Sequence, residues 1–167
     1  VNRSMSSYVY DADNQFSLEN IKQEYPLFGT TDYRQPAIEI LQSNGSRISD
    51  FQYVSHTITA GKPKLEGLPC TYTESDDEAQ TLCVTLRDAV TNIRLELFYT
   101  IFAEGGVLTR SVRVTNEGDQ AVHLQRVMSL NLDLPDKDYV WMQLSGAWAR
   151  ERHIKEHVLE QGVLSVG

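Results

Sequence analysis

The sequence predicts an all-β protein, a sandwich or a barrel, on three observations. From residue 37 onward apolar residues recur at every second position, the period of a strand with one face inward. Turn signals interrupt that alternation at short intervals: Asn44-Gly45, Gly105-Gly106 and Glu117-Gly118-Asp119. No helical pattern intervenes between these runs, and short strands in unbroken succession close as a sandwich or a barrel.

Taken in order, "AIEILQSNGSRISDFQYVSHTI" reads as two strands around Asn44-Gly45. "KPKLEGLPCTYTESDDEA" is a long connection marked by Pro and Gly. "TLCVTLRD" turns Leu82, Val84 and Leu86 inward, and "NIRLELFYTIF" places Ile93, Leu95, Leu97, Tyr99 and Ile101 on one face. "VLTRSVRVTN" follows the Gly105-Gly106 turn. The strand expected at 121–134 sets Val122, Leu124, Met128, Leu130, Leu132 and Leu134 on one face, and "DYVWMQLSG" and "AWARERHIKEHVLEQG" complete the series. Residues 1–36 differ: they are polar, turn-rich and weakly periodic, an irregular arm, with a short helix expected over residues 18–24.

Composition excludes several classes. A chain of 167 residues fits one domain with a real core. The net charge of −8, without a Lys/Arg cluster, argues against nucleic acid, and the apolar runs are too short to span a bilayer. The acidic run "ESDDE" at 74–78 lacks the Gly of a calcium loop and reads as a solvated loop. Cys70 and Cys83 are too few for a disulfide framework or a zinc site, which points to reduced thiols in the cytoplasm. No metal and no cofactor is expected. The start at Val1 and the strand-like end "GVLSVG" give the expectation of a piece cut from a longer protein.

Two arginines break the alternation. Arg126 falls between Leu124 and Met128, and Arg110 shares a face with Leu108, Val112 and Val114. A buried guanidinium needs a carboxylate or several carbonyls, so the expected arrangement is a strand end where the alkyl stem carries the charge to water, in preference to a basic rim that recognises a partner's acidic groups. "LSGAWARERH" (144–153), read as extended, puts Trp148, Arg150 and Arg152 on one side and Ala149, Glu151 and His153 on the other. His56, His123, His153 and His157 have mostly polar neighbours two residues away, which places them on solvated faces. The carboxylates are scattered, so no catalytic pair can be assigned.

"QEYPLFGTTDYRQPAIEILQSNGSRISDFQYVSH" (23–56), "GKPKLEGLPCTY" (61–72), "LTRSVRVTNEG" (108–118) and "LSGAWARERHI" (144–154) resemble, in order, the amino-terminal domain of bacterial α-galactosidases of glycoside hydrolase family 36. The resemblance implies an antiparallel two-sheet β-supersandwich, galactose-mutarotase-like and truncated here, over residues 37–167, behind the arm at 1–36. It implies that the chemistry sits on a (β/α)₈ barrel absent from this chain, so the expected catalytic residues here are none. The longer enzyme would remove terminal α-linked galactose from melibiose or raffinose with retention, and its partners would be its own barrel and neighbouring subunits of a homo-oligomer. In such relatives an arm reaches a neighbour's sugar pocket, where an Asp stands before an Arg; here Asn2 and Arg3 occupy those positions. The strand carrying Trp148, Arg150 and Arg152 then becomes a face docking on the barrel, in preference to a sugar-stacking platform, and Asp32 and Arg34 a structural ion pair or docking contact.

Two other functions stand beside this one. A free-standing carbohydrate-binding module needs a row of exposed aromatics, which only Trp148 and Trp141 could begin. An aldose-mutarotase-like enzyme needs two His and a Glu in one cleft, and His123, His153 and Glu151 are the set available.

Overall fold

The structure, a computed structural model, describes Leu18 and residues 22–67, 69–135, 137–160 and 164–165. It is all-β: eight strands and one short 3-10 turn at Asp76–Glu78 among the described residues. The strands are β1 (Ile38–Leu41), β2 (Gln52–Ala60), β3 (Ala79–Asp88), β4 (Ile93–Phe102), β5 (Leu108–Asn116), β6 (His123–Val127), β7 (Val140–Ala147) and β8 (Arg150–Val158). No described helix is long and apolar enough to cross a membrane. The chain divides into two compact units, residues 1–133 and 134–167.

In the first unit, β2 to β5 form a four-stranded antiparallel meander in sequence order, and β1 pairs antiparallel with β6 as a second sheet. The meander follows from its turns. Asp88 carries the β3–β4 connection: its buried carboxylate accepts from the Val90 and Thr91 amides at 2.9 and 3.1 Å, and from the Asp50 amide. Asn92 then takes the left-handed backbone (φ 55°) that Asn tolerates better than most residues. Gly105 and Gly106 take the same region in the β4–β5 turn.

Alternation delivers the core. Ile93, Leu95 and Leu97 of β4 are buried against Ile38 and Ile40 of β1, with Val84, Leu86, Val112 and Val114 packed around them. The opposite face of the meander meets the connection after β2. There Gly61 donates its amide to the Asp76 and Ala79 carbonyls, while its own carbonyl accepts from the Thr81 hydroxyl. Thr81 in turn meets Thr100 at 2.8 Å, both fully buried.

Four expectations need correction. Asn44-Gly45 does make a tight turn, with the Gly45 amide on the Gln42 carbonyl, but β1 and β2 part into different sheets instead of pairing. The turn reverses the chain; the apolar pattern of β1 commits it to the other layer. The strand expected over 121–134 covers only His123–Val127, and Leu130, Leu132 and Leu134 are exposed. Within 18–24, Leu18 and residues 22–24 are not helical, and 19–21 lie outside the described residues. Finally, β8 does not run through Trp148, because Trp148 and Ala149 form the turn between β7 and β8.

The second unit is that β7–β8 hairpin. Its register puts Val140, Met142 and Leu144 opposite Val158, Glu156 and Ile154 on one face. Trp141, Gln143 and Ser145 stand opposite His157, Lys155 and His153 on the other, so the hairpin is apolar on one side but for Glu156 and polar on the other but for Trp141.

Candidate functional site

Two polar clusters sit where residues 22–34 meet the rest of the first unit. In the first, Arg34 donates to Asp32 through Nε (3.0 Å) and NH2 (2.9 Å), and its NH1 lies 3.3 Å from Asp133. Asp32 also accepts from the Arg34 amide and the Gln23 side-chain amide, while Asp133 accepts from the Gln23 backbone amide at 2.8 Å. Burial pushes the Asp32 carboxyl up, but the hydrogen bonds and charge of Arg34 outweigh it and hold the group below the ordinary range. The cluster thus ties Gln23, Asp32 and Arg34 to Asp133 through one charge-assisted network.

A carboxylate with a lowered folded pKa stabilises the fold above its unfolded value, and that contribution is lost as pH falls through the folded value. Asp32→Asn should therefore cost about 1 to 2 kcal/mol at neutral pH, and less in acid. Thermal melts of both proteins across that range would show the gap closing; a gap that stays constant with pH would refute the assignment.

The second cluster holds Arg110, whose side chain is 5% exposed. Its NH1 donates to Glu24 Oε1 at 2.7 Å, and the guanidinium lies over the rings of Tyr99 (4.5 Å) and Tyr25 (5.5 Å). The Tyr99 hydroxyl donates to the same Glu24 oxygen at 2.6 Å, and the Tyr25 hydroxyl to the Met128 carbonyl at 2.7 Å. Burial raises Tyr25 to about 12 against the pull of Arg110. Burial and the Glu24 bond raise Tyr99 as well, so both remain hydroxyl donors. The expectation that Arg110 escapes to solvent is thus overturned, since a carboxylate and two ring faces let the guanidinium stay inside. Arg126 is half-buried, and its NH1 and NH2 lie 3.1 and 2.9 Å from the Gln35 side-chain amide, in the orientation that lets its oxygen accept.

The hairpin tip forms the third feature. Trp148 is 93% exposed, and Ala149 (φ 60°) and Arg152 (φ 64°) are both left-handed. The break at Arg152 removes the strict alternation on which a shared face of Trp148, Arg150 and Arg152 depended. Glu151 Oε1 accepts from the Ala149 amide at 2.9 Å, so this carboxylate braces the turn. His153 and His157 share the polar hairpin face with Lys155. His123 belongs to the other unit, and no arrangement uniting it with His153 and Glu151 is present within either unit. Asn2 and Arg3 lie outside the described residues. Among the described residues no His, Cys, Asp or Glu group is arranged to hold a metal ion.

Sequence reasoning united Asp32 with Arg34 but missed Gln23, Asp133, Glu24, Tyr25 and Tyr99. The one signal was Arg110 itself, an arginine on an apolar face; its carboxylate lies far away in sequence.

Residues 2–167 match the Glycosyl hydrolase family 36 N-terminal domain. The chain is 42% identical over 163 residues to alpha-galactosidase AgaA of Geobacillus stearothermophilus, covering 98% of this chain and 22% of that protein. It is 38% identical over 155 residues to alpha-galactosidase 1 of Pediococcus pentosaceus, covering 93% of this chain and 21% of that protein. The crystal structure of AgaA superposes with a TM-score of 0.86 over 97% of this chain and 23% of that one. A variant of AgaA crystallised in complex with raffinose superposes with a TM-score of 0.85 at 42% identity, again over 97% of this chain and 23% of that one. The chain therefore spans about a fifth of the length of these curated relatives.

Proposed function

This chain belongs to the glycosyl hydrolase family 36 N-terminal domain family, and from that membership we propose that it is the non-catalytic front of an α-galactosidase. The observation that carries the reading is the match over residues 2–167 to proteins about five times as long, one of which was crystallised with raffinose. Substrates of the longer protein are terminal α-galactosides such as raffinose and melibiose, cleaved with retention. Its two catalytic carboxyl groups, about 5 to 5.5 Å apart in a retaining enzyme, belong to a barrel domain outside this chain. The role of this chain is support: residues 37–167 form the sandwich, and residues 1–36 an arm that carries Asn2 and Arg3 toward a neighbouring subunit's sugar pocket in a homo-oligomer.

Trp148, Arg150 and Arg152 dock on the barrel. The support is exposure of a large aromatic in a turn whose Ala149 is held left-handed, since aromatics and Arg are enriched at interfaces. Asp32 and Arg34 serve mainly the internal cluster with Asp133, and Arg34, half-exposed, extends to the docking contact. Two unbridged cysteines favour a reducing, cytoplasmic setting.

The test compares the purified chain with the longer protein on an aryl α-galactoside. The chain alone should be inactive and the longer protein active. Turnover by the chain, abolished by replacing one of its own carboxylates, would overturn the reading. In the longer protein, Trp148→Ala should lower the melting temperature more than it changes KM; a raised KM with unchanged melting would assign Trp148 to the sugar instead.

A further inference from the structure

We propose that Glu24 and Arg110 form a one-sided latch: the exposed carboxylate keeps the buried guanidinium in place, and losing its charge loosens the segment Gln23–Arg34 while the sheets stay folded. This goes beyond the proposed function and stands on the geometry of this chain alone. Residues 22–36 contain no helix, and their only strand-like contact is a bridge from Leu27 to Ile38. Much of what attaches them is polar and runs through carboxylates. Asp133 and Asn131 hold the Gln23 backbone, Asp32 holds Arg34, and Glu24 reaches Tyr99 and Arg110.

The two partners of the latch are unequal. The Arg110 side chain is 5% exposed and that of Glu24 is 65% exposed. Arg110 Nε and NH2 are buried without a hydrogen-bond partner, facing the rings of Tyr25 and Tyr99, so Glu24 is the one carboxylate opposing the buried charge among the described residues. A buried cation stripped of its counter-charge is strongly unfavourable, and the relief open to it is to swing toward water. That movement unstacks it from Tyr25, which belongs to the segment itself. The converse loss is mild, because Glu24 without Arg110 is already hydrated and still accepts from Tyr99. The other titratable groups facing the pair are Tyr25 and Tyr99, both held protonated.

Hydrogen exchange on this chain tests the latch, read at the Gln23, Asp32, Arg34 and Ala37 amides against those of β3 and β4. Glu24→Gln should speed exchange in the segment about tenfold or more with β3 and β4 unchanged. Arg110→Met should speed it less, and the double variant should recover toward the parent rate. An Arg110→Met effect equal to or larger than that of Glu24→Gln overturns the proposal, as does equal acceleration in segment and strands, or no acceleration. A Glu24→Gln chain whose strands fail to fold overturns the proposal too, because the latch holds the segment and not the sheets.

Discussion

Replacing Leu95 with alanine should destabilise the first unit by about 3 kcal/mol and lower its melting temperature by roughly 10 °C. Leu95 is fully buried near the start of β4, between Leu86 on β3 and Val114 on β5, and faces the β1 isoleucines across the sandwich. Truncation removes the transfer energy of its side chain and leaves a cavity that two hydrogen-bonded sheets cannot close by collapse. Ile101 lies on the same strand with the same alternation but is 61% exposed, so Ile101→Ala should shift melting far less. Calorimetry on both variants checks the pair, and equal losses would show that the core lies elsewhere.

Gly146→Ala should open the β7–β8 hairpin while leaving the first unit intact. Ser145 pairs with His153 and Ala147 with Arg150, so Gly146 alone opposes two residues, Glu151 and Arg152. This bulge brings the facing backbone so close that a Cβ on residue 146 would stand 2.2 Å from the Arg150 carbonyl oxygen and 2.7 Å from the Glu151 Cα. Backbone cannot step aside as a flexible side chain does, so the Ala147–Arg150 pair must break. Overpacking of this kind costs about 3 kcal/mol, more than a two-stranded hairpin has in reserve. Amide exchange should rise through β7 and β8 with β3 and β4 unchanged; a hairpin that keeps its protection would contradict the close approach.

These two residues show where sequence was legible. Leu95 was assigned to the core from alternation alone, because a strand's period needs no knowledge of its partner. Gly146 has no such local signature, since a bulge is a property of two strands in register and only one is visible in a local window. The same holds for the clusters. Asp32 and Arg34 lie two residues apart, within reach of local reasoning, whereas Arg110 and Glu24 meet only after the meander forms. Asn44-Gly45 misled for a related reason: a turn signal sets where the chain reverses, but the strands it joins pair only if their apolar faces belong to one layer.

The pairing of β1 with β6 sets an order of events in time. Strands β2 to β5 meet their neighbours in sequence, whereas Ile38 must find Val127 across about 90 intervening residues. Closing so long a loop costs about 4 kcal/mol of chain entropy before any contact repays it. The meander therefore forms first, with Ile93, Leu95 and Leu97 still wet, and β1 arrives after the barrier. On that order Ile38→Val should speed unfolding and leave the folding rate nearly unchanged, which stopped-flow kinetics would read directly. A slowed folding limb would instead place β1 in the nucleus. Until β1 closes, the chain presents an open apolar sheet to its neighbours, so the yield of folded protein depends on how fast this one distant strand comes home.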